Sequence, residues 1–188
     1  MAGFRVVVTD DRFGSYEEEK RVLEAIGCTL EVCNLSDAAE AARNLPGSDA
    51  LLVNLFPMTS AIIETLDRCR IISRYGVGYD NVDVDAATRK GIWVARVPDY
   101  GFEEVSDHAL AMLLALARNL PYVDRRIREG GWNLKNEYRN YRVKGSVLGI
   151  VGFGLIGRAL CRKAAGLGFS RVLIHDPYVT AAAISRRG

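Results

Sequence analysis

The stretch that most restricts the fold is 147–157, "VLGIVGFGLIG", taken with the later "RVLIHDPYV" (171–179). An apolar run leads into three glycines, Gly152, Gly154 and Gly157, spaced as G-x-G-x-x-G. A helical pattern, "LIGRALCRKAAGLG", comes next, and a second apolar run ends on Asp176. This order predicts strand, tight turn, helix and parallel strand. The glycines alone are a weak signal, but both strands, the helix and an acid 19 positions after Gly157 strengthen it. Gly152 allows the turn, Gly154 lets backbone approach a pyrophosphate, and Gly157 lets the helix close on the strand. With Phe153, Leu155 and Ile156 they form a helix entrance whose free N–H groups and partial positive charge suit phosphate. Asp176 would accept hydrogen bonds from the ribose hydroxyls of adenosine and repel a 2′-phosphate, so NAD is expected over NADP. No G-K-[ST] closes the turn, which argues against a Walker-type phosphate loop. The plainer alternative is a crossover whose glycines serve packing alone.

Upstream, β-rich runs alternate with helical patterns. Residues 4–10, 28–34, 49–55, 69–75 and 92–97 read as strands. Helices fall between them, with Ser15 and Glu18 as a capping box for the first and Ser36 as the cap of the second. Five strands with intervening helices imply a parallel sheet covered on both faces. After Pro98 the rhythm changes. Residues 102–118 hold no Pro or Gly, and their apolar content is nearly all round from 109 to 117, so burial on most sides is expected. Pro121 restarts a helix that Gly130-Gly131 ends, and 132–144 reads as an irregular arm. The expected class is α/β, with one domain at 1–100. A connector helix and an incomplete nucleotide-binding domain follow at 101–188.

Composition narrows the partners. The 188 residues are 49% apolar, enough for a core, and their net charge of +2 selects neither nucleic acid nor membrane. Four cysteines without a CxxC pair, beside two histidines, give no expectation of a metal site. No apolar stretch approaches the roughly 20 residues that span a bilayer, so no membrane partner and a cytoplasmic location are expected. Segment 125–144 interleaves Lys and Arg with Trp132, Tyr138 and Tyr141, a mixture able to contact phosphates and stack on bases. A solvated arm is the preferred reading, and nucleic acid is not expected as a partner.

Two further stretches, "SRYGVGYDNVDVDAATRKGIWVARVP" (73–98) and "VPDYGFEEVSDHALAMLLALAR" (97–118), carry a resemblance. With the glycine turn, they resemble the D-isomer-specific 2-hydroxyacid dehydrogenases over nearly the whole chain. The second is similar to the branch with C-terminal-binding-protein-like members, and departs from the usual "VAEH" wording at Ser106 and Asp107. The resemblance implies a flavodoxin-like, parallel-sheet substrate domain followed by the first β-α-β unit of a Rossmann-like NAD domain. It also implies a homodimer built on helix 102–118, with the active site between the domains. A small 2-oxo or 2-hydroxy acid, such as glyoxylate, hydroxypyruvate or pyruvate, would be held through its carboxylate by the amides of Val77 and Gly78. Val105 would pack against the nicotinamide.

A Gly-x-Gly loop after a strand does expose consecutive N–H groups able to hold an anion. The alternative is a turn shaped by Gly76 and Gly78, with Asp80 and Asp83 capping the next helix. The family's arginine, glutamate and histidine lie downstream of the ribose-binding acid. Arg186 and Arg187 come too early to match, and His108 and His175 read as structural, so no catalytic residue is assigned. The expectation is the N-terminal part of a longer NAD-dependent oxidoreductase, inactive by itself. The alternative is a non-catalytic NAD(H)-sensing or corepressor-like binding protein.

Overall fold

The computed structural model describes residues 3–134 and 137–185. The chain divides into two compact units on either side of the Tyr100–Gly101 bond. In the first, β1 (Phe4–Val8), β2 (Cys28–Val32), β3 (Ala50–Val53), β4 (Ile71–Arg74) and β5 (Trp93–Ala95) form one sheet. All its pairings are parallel, in the order β2-β1-β3-β4-β5, the flavodoxin-like arrangement. The helices are α1 (Glu17–Glu24), α2 (Ala38–Asn44), α3 (Ser60–Glu64) and α4 (Val84–Arg89).

The order of strands reverses direction at β1, and right-handed crossovers then place α1 on one face and α2, α3 and α4 on the other. The core sits under the three helices. Val7, Leu51, Val53 and Ile72 of the sheet pack with Leu45, Ile62, Ile63, Ala86 and Ala87, and each large aliphatic side chain so buried contributes about 1.5–3 kcal/mol. The opposite face is less well covered than the alternation implies. None of the residues of α1 is buried, and Val22 and Ile26 are exposed.

Two caps differ from expectation. Ser15 does not cap α1, whose N-cap position falls to Tyr16 without a side-chain bond. The Tyr16 ring is buried and its hydroxyl donates to Asp11 at 3.1 Å, so burial of the aromatic sets where this helix begins. Asp37, not Ser36, caps α2 by accepting the Glu40 N–H at 2.8 Å. The Glu40 carboxylate reaches back to the Ser36 N–H at 2.9 Å, the reciprocal half of a capping box. At α4 the expected Asp83 cap forms, accepting from Ala86 N–H at 2.8 Å, while Asp80 makes no cap bond among the described residues.

The second unit contains α5 (Phe102–Ala117), α6 (Leu120–Arg128), β6 (Val147–Val151), α7 (Leu155–Ala164), β7 (Arg171–His175) and α8 (Ala181–Ser185). Strands β6 and β7 pair in parallel from Val147↔Arg171 to Val151↔His175. Leu148, Ile150 and Ala164 form the core there, with Leu110, Leu113, Leu160, Val172 and Ile174 packed on it. Lys163 ties α7 to α5: its ammonium donates to the Glu103 carbonyl at 2.7 Å and to Ser106 Oγ at 2.8 Å, and pairs with Asp107 at 2.6 Å. Ser106 and Asp107 thus both face one lysine.

Helix α5 is not buried on most sides. Ser106 is its one buried residue, and Val105, Met112 and Leu116 are 50%, 50% and 69% exposed. The stripe through Leu110 and Leu113 meets the small sheet, and among the described residues of this unit Met112 and Leu116 stay uncovered. In α6 and the arm after it, several arginines are engaged by their neighbours. Arg126 pairs with Glu129 and Glu137, and Arg128 with Asp124. Arg125 and Arg139 lie over the rings of Tyr122 and Tyr141. Among the described residues no helix is long and apolar enough to cross a membrane.

Candidate functional site

The glycine turn is built as its spacing predicts, with one difference. Gly152 takes a φ of +93°, a conformation that L side chains rarely adopt, and its N–H donates to the His175 carbonyl at 2.8 Å. Gly154 occupies the N-cap position of α7 with no side-chain cap, and a Cβ there would meet nothing within 4 Å. A Cβ at Gly157 would run into the carbonyl oxygen of Gly152. The contact that demands glycine is therefore between the helix and its own entry turn, rather than the strand. The Phe153 ring is buried, while Leu155 and Ile156 are exposed on the first turn.

Asp176 stands directly after β7. Its Oδ2 accepts the Phe153 N–H at 2.7 Å, and its Oδ1 accepts those of Tyr178 and Val179 at 2.8 and 3.1 Å. These bonds, that from Phe153 foremost, hold its carboxyl below the usual carboxylate range. A carboxylate oxygen has two lone pairs, so Oδ2 can take a further donor. An uncapped helix N-terminus, an open approach at Gly154 and an ionised acid beside the turn fit a pyrophosphate flanked by a ribose.

In the first unit, the loop 76–78 leaves the carboxyl end of β4. The Gly76 carbonyl accepts the Val97 N–H at 3.2 Å, and the Val77 carbonyl accepts Arg96 Nη1 at 3.0 Å. Across a trans peptide the N–H points opposite to the C=O. Pinning the two carbonyls thus turns the N–H groups of Val77 and Gly78 the other way. Among the described residues neither finds an acceptor.

The neighbouring loop after β3 is held from two sides. Asn81 Nδ2 donates to the Phe56 carbonyl at 3.0 Å, and Asp10 accepts the N–H groups of Asn54 and Leu55 at 3.0 and 2.8 Å. Burial pushes the Asp10 carboxyl up, but bonds from Leu55, Thr9 and Asn54 outweigh it and hold the group below its ordinary range.

Val105 lies half exposed near the start of α5. His108 and His175 are exposed on α5 and β7, and Arg186 and Arg187 lie outside the described residues. Sequence reasoning missed Asp10, Arg74 and Arg96. Arg74 stands two residues before Gly76 of the glycine loop, which was a signal. The fold-back of Arg96 onto Val77 had none.

Comparison with known proteins agrees with this arrangement. The family model described as "D-isomer specific 2-hydroxyacid dehydrogenase, catalytic domain" matches residues 6–188. The chain is 32% identical over 176 residues to D-3-phosphoglycerate dehydrogenase of Methanocaldococcus jannaschii, covering 93% of this chain and 32% of that protein. It is 40% identical over 135 residues to glyoxylate reductase of Pyrococcus furiosus, covering 68% of this chain and 40% of that protein. Apo D-lactate dehydrogenase from Escherichia coli superposes with a TM-score of 0.74 at 29% identity, over 97% of this chain and 58% of that one. The chain therefore spans less than two thirds of the length of each of these relatives. With the match running from β1 through the glycine turn to the last residues, the chain belongs to the D-isomer-specific 2-hydroxyacid dehydrogenase family.

Proposed function

We propose that the chain supplies the substrate-carboxylate loop and the NAD-binding turn of an oxidoreductase acting on small 2-hydroxy and 2-oxo acids. The observation that carries this is the pair of unpartnered N–H groups at Val77 and Gly78, set by carbonyls pinned to Arg96 and Val97. A carboxylate is the acceptor such a pair suits. In the second unit, the N–H groups at the start of α7 and the open space at Gly154 suit the pyrophosphate of a dinucleotide. Asp176 would read the ribose, and Val105, half exposed, would offer an apolar surface to the nicotinamide. When bound, NAD would supply the hydride chemistry.

The exposed residues Met112 and Leu116 support a homodimer formed through α5. The 188 residues alone would bind rather than turn over, because a general acid must reach the reacting oxygen within hydrogen-bond distance. Neither His108 nor His175 stands at the loop 76–78 in sequence or on its elements. The test is NADH oxidation with glyoxylate, hydroxypyruvate and pyruvate, using the product of the whole reading frame beside the 188 residues. Saturable turnover of a 2-oxo acid by the former, weakened by Gly78→Pro, is the expected result. Turnover by neither would overturn the assignment as an enzyme.

A further inference from the structure

We propose that Arg74 is the charge partner of the anion held at Val77 and Gly78, so that a guanidinium and two amides grip one carboxylate. The proposal rests on the loop's reading as a carboxylate site and adds to it a side chain that binds and orients the substrate. Arg74 is the last residue of β4 and is partly buried. Its Nε is buried and, among the described residues, has no hydrogen-bond partner. No carboxylate of the described chain pairs with it. Other arginines of the same unit do find acids, as Arg5 does with Glu31 and Arg68 with Asp49. A partly buried cation without an acceptor is unfavourable unless something outside the chain supplies one.

Its position points to what that is. Nη1 fills the space where a Cβ of residue 76 would stand, and the Tyr100 hydroxyl lies 3.6 Å from the same point. Glycine at 76 is thus what admits the guanidinium against the loop, since Gly76 is not among the residues with positive φ. The next two residues in the chain carry the two free N–H groups. Donors crowd here and acceptors are scarce. Asp80, whose Oδ2 is 3.7 Å from the corresponding point at Gly78, forms no ion pair with Arg74 among the described residues. A planar guanidinium fork matches a carboxylate in two-point fashion, and its charge would add to the amides' partial charges.

The experiment is an amide NMR titration of the 188-residue chain with oxamate, a 2-oxo acid analogue that cannot be reduced. Oxamate should shift the Val77 and Gly78 amides. Arg74→Gln should weaken its binding about tenfold or more, and Arg74→Lys should recover part of the loss because the charge returns. Gly76→Ala, which displaces only the end of a flexible side chain, should weaken binding with little change in melting temperature. That variant keeps the test sound if Arg74→Gln fails to fold. Shifts at Val77 and Gly78 with unchanged affinity in the Arg74→Gln chain, or in Gly76→Ala should Arg74→Gln not fold, would overturn the role of Arg74 and leave the loop as a carboxylate site. No shift in the unmutated chain would overturn both.

Discussion

The Phe153 N–H meets the Asp176 carboxylate at 2.7 Å, so the acid at the end of β7 also fixes the glycine turn at the end of β6. The same carboxylate holds Tyr178 and Val179, and its removal should free three amides at once. In Asp176→Ala, hydrogen exchange should quicken at Phe153, Tyr178 and Val179. Gly152, bonded to the His175 carbonyl, should keep its protection. Unchanged exchange at Phe153 would contradict this link.

Gly154 and Gly157 should respond differently to alanine. At Gly157 the new methyl runs into a backbone oxygen, which cannot swing aside, and overpacking of this kind costs about 1–3 kcal/mol. At Gly154 the methyl enters open space and φ is −73°, so folding should be preserved while dinucleotide affinity falls. Urea unfolding and NAD titration of both variants check this. A Gly154→Ala chain that binds NAD normally would show that this opening is not where the pyrophosphate lies.

Acid should loosen the first unit. Asp10 and Asp49 are both held below the ordinary 3.8. Burial works against this at Asp10, where bonds from Leu55, Thr9 and Asn54 prevail, and the Arg5 N–H leads at Asp49. A carboxyl with a lower pKa folded than unfolded stabilises the fold above the unfolded value and loses that contribution as pH falls through the folded one. The urea midpoint should therefore hold from pH 7 to about 5 and fall below about 4. A midpoint that rises on acidification in that range would contradict it.

The sheet, its parallel pairing, the glycine turn and its acid were legible because each rests on local pattern: alternating β-rich runs, glycines at fixed offsets, an acid at a strand end. What stayed hidden depends on contacts between distant residues. Ser15 and Ser36 had suitable side chains for capping, but the burial of Tyr16 and the better-placed Asp37 decided the helix starts. An all-round apolar pattern in α5 signals surface to be covered without saying what covers it, and here Met112 and Leu116 remain bare. The pinning of Val77 by Arg96, 19 residues along, follows from how β5 lies beside β4, which no local pattern encodes. Gly157 was marked as a close approach, but its partner, the Gly152 carbonyl, needed the folded turn to be seen.

The most direct test of the nucleotide site is the affinity of the chain for NAD and for NADP, measured by calorimetry in the unmutated protein and in Asp176→Ala. An ionised Asp176 beside the turn should favour NAD over NADP by about tenfold or more, and its loss should bring the two affinities together. Equal affinities in the unmutated chain, or a preference that survives Asp176→Ala, would contradict the assignment of Asp176 as the group that reads the ribose.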